Sequence, residues 1–133
     1  MRFIDTNIFL RFLTNDDPDK AQGCEKLFKK AINDKDQLFT SELVIAEIIW
    51  VLESYYGLSK EDVKEKVEKI LNTKNLFCPN KDILYESLGL YLFKNIDFID
   101  AYNALIMRQN SISEIYSYDS DFDRIENIKR IEP

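Results

Sequence analysis

Short apolar runs alternate along this chain with longer stretches whose apolar residues recur every three or four positions. The first kind reads as a buried strand and the second as an amphipathic helix. Strands are predicted at Arg2–Ile4, Gln37–Phe39, Leu76–Cys78, Glu114–Tyr118 and Lys129–Ile131. Helices are predicted between them. Thr6 or Asn7 caps a short one reaching Leu13, and Asp17-Pro18 is an N-cap and N1 pair for one reaching about Asn33. Thr40 or Ser41 caps a long apolar helix to Tyr56, which Gly57 ends. Ser59-Lys60-Glu61-Asp62 resembles a capping box and opens a helix with Val63, Val67, Ile70 and Leu71 on one face. Asn80 caps a helix to about Lys94, and Ile99 to Gln109 forms the last, its start lying there or a few residues earlier.

Strands alternating with helices predict an α/β fold: a central, mostly parallel sheet of four to five short strands with helices on both sides, three layers in all. There is no repeat, low-complexity tract or internal linker, and 133 residues suit one domain spanning 1–133. A hydrophobic fraction of 45% supports a packed core. No window approaches the roughly 20 apolar residues of a membrane span. Asp5 interrupts the apolar start at once, unlike a signal peptide. The expectation is a cytoplasmic protein with no membrane association, and with Cys24 and Cys78 as buried reduced thiols.

The chain contains no histidine. Ser-His-Asp and Cys-His catalysis are therefore excluded, and so is a zinc site of Cys and His ligands. Gly23, Gly57 and Gly89 stand alone, so no glycine-rich phosphate cradle exists. Any catalysis falls to carboxylates, amines or a metal. The net charge of −6 opposes non-specific nucleic-acid binding but equally suits a chain that gathers acids at a metal site.

Four acidic features have apolar neighbours. Asp5 follows the first strand, where open α/β sheets bind ligands; it is equally placed to meet free amides at a helix start. Glu47 has Leu43, Val44, Trp50 and Val51 three and four residues away, so it is either a ligand or a core-edge partner of a Lys or Arg. Asp97 and Asp100 share one side of a helical turn, where Asp97 can be a simple N-cap. Asp119, Asp121 and Asp123 alternate after a strand. They fail as a calcium loop because Arg124 and Arg130 occupy the positions of the required Gly and Glu. Asp123 is read as a helix cap. Carboxylates converging without His or Cys favour Mg²⁺ or Mn²⁺.

Asp5-Thr6-Asn7, Ala46-Glu47, Asp97-Phe98-Ile99-Asp100-Ala101 and Ser117-Tyr118-Asp119-Ser120-Asp121-Phe122 resemble the ordered motifs of PIN domains, and the likeness runs over essentially the whole chain. Ser41 to Ser59 is similar in character to the VapC-like toxins of toxin–antitoxin pairs. The resemblance implies a three-layer PIN fold and an acidic quartet of Asp5, Glu47, Asp100 and Asp119. It adds Asp97 and Asp121 as accessory acids, and Asn7 and Ser117 as supporting polar residues. It implies Mg²⁺- or Mn²⁺-dependent hydrolysis of RNA to a 5′-phosphate product, a small antitoxin partner and a homodimer. Phe9, Phe12, Trp50, Tyr55 and Tyr56 supply apolar surface for such partners where they are not core. Arg11, one turn beyond Asn7, is either a phosphate contact or a plain surface arginine.

Four other readings compete. A haloacid-dehalogenase-type phosphatase needs a second Asp where Asn7 stands, and a receiver-like signalling domain needs a pair of acids beside the first strand. A PIN domain can also serve RNA processing, or be a catalytically silent module that binds RNA or protein. The complete quartet argues against the silent form.

Overall fold

The computed structural model describes residues 1–133. Its elements are β1 (Arg2–Phe3), α1 (Thr6–Thr14), α2 (Pro18–Ile32), β2 (Leu38–Phe39), α3 (Glu42–Ser54), α4 (Lys60–Leu71), β3 (Leu76–Phe77), α5 (Lys81–Phe93), α6 (Phe98–Gln109), β4 (Glu114–Tyr116), a 3₁₀ helix (Ser120–Arg124) and β5 (Lys129–Ile131). Every predicted element is present, and every strand pair is parallel. The chain divides into two compact units, Met1–Lys81 and Asp82–Pro133.

In the first unit the strands run in the order β1-β2-β3, with Arg2 opposite Leu38 and Leu38 opposite Leu76. The Ile4 amide donates to the Phe39 carbonyl at 2.8 Å, and the Thr40 amide to that of Phe77 at 2.9 Å. Thr40 does not cap α3. Its buried Oγ1 donates to the Ile4 carbonyl at 3.0 Å and fastens the carboxyl end of β1. Ser41 is the cap, accepting the Val44 amide. Asp17 and Ser59 cap α2 and α4 as predicted. Gly57 adopts φ +64, where glycine carries no Cβ penalty, and α3 ends at Ser54, three residues before it.

Three local expectations are corrected. Asp5, and neither Thr6 nor Asn7, is the N-cap of α1. Asn80 has φ +55, outside the extended range a capping residue uses, and its amide donates to Glu42 instead. Cys78 is only half-buried, since β3 stops before it and Pro79 follows.

The second unit pairs β4 with β5, Glu114 opposite Lys129 and Tyr116 opposite Ile131. The predicted strand shortens at Tyr116. The Ser117 amide still donates to the Ile131 carbonyl at 3.1 Å, while its hydroxyl accepts the Asp119 amide at 3.0 Å and the chain turns into the 3₁₀ helix. Leu84, Leu88, Tyr91, Ile96, Ala101 and Phe122 are among its buried side chains.

Candidate active site

The first unit places Asp5 and Glu47 around one threonine. Asp5 Oδ1 accepts the Thr6 amide at 2.8 Å, so Asp5 does fill the helix-start role that was its bland alternative. Thr6 is buried, and its Oγ1 donates to Glu47 Oε2 at 3.1 Å. That bond fixes the rotamer of an otherwise exposed carboxylate. Sequence reasoning missed Thr6. The signal lay in a hydroxyl between Asp5 and Asn7 on the first turn of a helix.

The expected surroundings of Glu47 need correction. Leu43 and Trp50 are 82% and 67% exposed, and Glu47 is exposed with them. The buried stripe of α3 is instead Val44, Ile45, Ile48, Ile49 and Leu52. The helix is apolar nearly all round, so periodicity alone could not identify the inward face. Glu47 is not a buried charge, and no Lys or Arg pairs with it. Asn7 is exposed and Arg11 half-buried on the same side of α1, both lining a groove with Glu47.

The second unit gathers Asp100, Asp119 and Asp121. Each offers a carboxylate oxygen, and the three lie within 4.8 Å of one another. Local chain geometry explains the gathering. Asp100 stands in the first turn of α6. Asp119 is the N-cap of the 3₁₀ helix, its Oδ1 accepting the Asp121 amide at 2.9 Å. Asp97 caps α6 by position without a side-chain hydrogen bond, and stays outside the trio.

Three acids so close cannot all stay charged cheaply. The Asp100 carboxyl is pushed up to about 6, first by burial, then by its hydrogen bond to Asp119 and by the charges of Asp119, Asp97 and Asp121. Without a cation, Asp100 therefore holds a proton and donates it toward Asp119 in mildly acidic solution. Cations that are present lie at the margin. Arg124 reaches Asp121 at 3.5 Å from an exposed position. Arg130 takes Asp123 in a two-pronged pair at 3.1 and 3.2 Å, which makes Asp123 an ion-pair partner rather than the cap expected of it.

Oxygen donors alone, with no sulfur or imidazole among them, suit a hard divalent cation such as Mg²⁺ or Mn²⁺ and not zinc. The trio thus fits the ion that the sequence motifs imply.

A curated VapC ribonuclease of Aquifex aeolicus (strain VF5) is 29% identical over 133 residues, covering 100% of this chain and 97% of that one. The crystal structure of Mycobacterium tuberculosis VapC20, described as a toxin that cleaves the sarcin–ricin loop, is similar over 100% of both chains, at 19% identity and a TM-score of 0.43. The PIN domain family matches residues 2–128, nearly the full length. That match displaces the phosphatase and receiver readings, and the chain belongs to the PIN-domain family.

Proposed function

We propose that this PIN domain is a single-domain, Mg²⁺- or Mn²⁺-dependent endoribonuclease and the toxin of a toxin–antitoxin pair. The observation that carries the reading is the trio of Asp100, Asp119 and Asp121 in a member of this family, with no histidine or glycine-rich loop to offer other chemistry. The name of the Aquifex relative supports RNA as the substrate.

Asp100 and Asp119 would hold the cation, and Asp97 and Asp121 would add charge; the family's motifs also assign Asp5 and Glu47 to its acidic quartet. The assignment of Asp5 and Glu47 rests on family membership and on their fixed, unpaired carboxylates. A divalent ion held there would supply Lewis-acid chemistry for phosphodiester hydrolysis. The chain's own residues prepare for that. Thr6 holds the Glu47 carboxylate in one orientation, and the amides of Thr6 and Asp121 orient Asp5 and Asp119. Ser117 steadies the turn that carries Asp119. Asp100 would hold a cation in its ionised form, which opposite charge favours.

A homodimer and a small antitoxin are part of the same reading. Leu43 and Trp50 support them as large apolar side chains that this chain leaves exposed, whereas Phe9 is core. No helix is long and apolar enough to cross a membrane, and a cytoplasmic setting belongs to the same proposal.

The test is cleavage of a mixed RNA pool by recombinant protein with Mg²⁺, Mn²⁺ or EDTA. Cleavage should require the metal and vanish in Asp5→Asn. Undiminished cleavage by Asp5→Asn in EDTA would show that the carboxylates do not hold a catalytic ion.

A further inference from the structure

Five arginines occur in the chain, and four are engaged. Arg2 pairs with Asp36, Arg108 with Glu86, and Arg130 with Asp123 and Glu132. Arg124 pairs with Asp121 and donates to the Asn95 carbonyl. Arg11 alone has neither an ion pair nor a hydrogen bond, although acids outnumber bases by six. It is half-buried, so its position is restricted while its guanidinium stays available.

Arg11 lines a groove of about 310 Å³ within the first unit, together with Asn7, Glu47, Val51, Tyr55 and Tyr56. One wall of this groove is aromatic. The Tyr56 hydroxyl donates to Asp16, the other acid of the groove, and lies 3.4 Å from Thr14 Oγ1. Tyr56 is thereby tied down, and Asp16 has a hydrogen-bond partner of its own. The Tyr55 ring stands edge-on to Tyr56, with centroids 4.9 Å apart, and is 78% exposed. A second groove, of about 490 Å³, reaches Arg11 from its α2 side and brings Lys20 and Asn7 with it.

A free planar fork of donors matches a phosphate, and an exposed, backed aromatic ring matches a nucleobase. Both stand in one groove with Glu47. We propose that this groove is a subsite for single-stranded RNA, in which Arg11 grips a backbone phosphate and Tyr55 stacks on an adjoining base. The inference rests on the ribonuclease reading and deepens it by naming where the strand is held. It also explains how a chain of net charge −6 engages a polyanion: one well-placed, uncompensated arginine and a stacking ring replace a broad basic surface.

The test is fluorescence anisotropy with a labelled single-stranded oligoribonucleotide of mixed sequence in EDTA across a salt series, beside cleavage kinetics with Mn²⁺. Arg11→Gln should raise Kd about tenfold and flatten the slope of log Kd against log salt by about 0.7, the share of one phosphate on a single strand. Tyr55→Ala should raise both Kd and KM about tenfold, whereas Tyr55→Phe, which keeps the ring, should stay within about twofold of wild type. Arg11→Lys should fall between wild type and Arg11→Gln, and it keeps the test open if the Gln variant folds poorly. Wild-type binding and cleavage with both Arg11→Gln and Tyr55→Ala unaffected would overturn the subsite and leave the ribonuclease standing. Either variant alone binding like wild type removes that residue from the proposal. Weakened binding in the variants of a protein that never cleaves RNA would sustain the subsite and sink the ribonuclease. A wild type that neither binds nor cleaves RNA overturns both.

Discussion

At the scale of single residues, Glu47 and Asp100, both proposed as metal ligands, stand in two different electrostatic settings. Glu47 is exposed, held by the buried Thr6 hydroxyl and unpaired with any base. Glu47→Gln keeps its shape but removes the charge a hard cation needs. Cleavage should collapse while the far-ultraviolet circular dichroism is unchanged, and Glu61→Gln, an exposed charge on α4, should alter neither. Asp100 is instead frustrated. Its carboxyl titrates at about 6 in the folded chain, above the about 3.9 of an unfolded one, so the folded state binds more protons between those values. The stability this contributes is complete below about pH 4 and is lost as pH rises through about 6. Metal-free wild type should therefore lose melting temperature from pH 5 to pH 7.5 relative to Asp100→Asn, measured by calorimetry. Identical pH dependence in the two proteins would mean that Asp100 ionises normally. Asp123 belongs to the scaffold: Asp123→Asn removes a two-pronged pair in which Asp123 is exposed while the Arg130 side chain is mostly covered and keeps Glu132, should cost about 1 kcal/mol in urea unfolding, and should leave cleavage intact.

Individual elements show what the residue pattern could and could not reveal. Helix α3 buries Val44, Ile45, Ile48, Ile49 and Leu52 and exposes Leu43, Glu47 and Trp50. Leu52→Ala should cost about 2–5 kcal/mol in urea unfolding because it opens a cavity at a fully buried position. Trp50→Ala should stay within about 0.5 kcal/mol in the monomer. Equal losses would mean that both faces are packed. The existence and order of α3 were legible from its length, its serine cap and its terminating glycine. Its inward face was not, because both faces are apolar and only tertiary packing chooses between them. The same limit explains Asn80 and Ser117. An asparagine before a helix suggests a cap, but φ +55 and a hydrogen bond to Glu42 take it elsewhere. A serine after a strand suggests continued pairing, and its amide does reach the Ile131 carbonyl, but its hydroxyl turns the chain toward Asp119. The acidic candidates themselves were legible because charges stand out against apolar neighbours. Thr6 and the unpaired state of Arg11 were not, since both are facts about partners distant in sequence.

For the molecule as a whole, the excess of acids over bases is concentrated as well as large. Burial and the charges of Asp119, Asp97 and Asp121 raise the cost of ionising Asp100, and a bound cation would offset that cost. The most direct test of this account is the initial rate of RNA cleavage as a function of Mn²⁺ concentration, for wild type and for Asp119→Asn, starting from EDTA-stripped protein. The account predicts no cleavage by stripped wild type, saturable activation by Mn²⁺, and an Asp119→Asn curve that is at least a hundredfold lower, on the order of what losing one charge-stabilising group costs a catalytic site. Cleavage by stripped wild type that Mn²⁺ leaves unchanged, or full activity in Asp119→Asn, would contradict it.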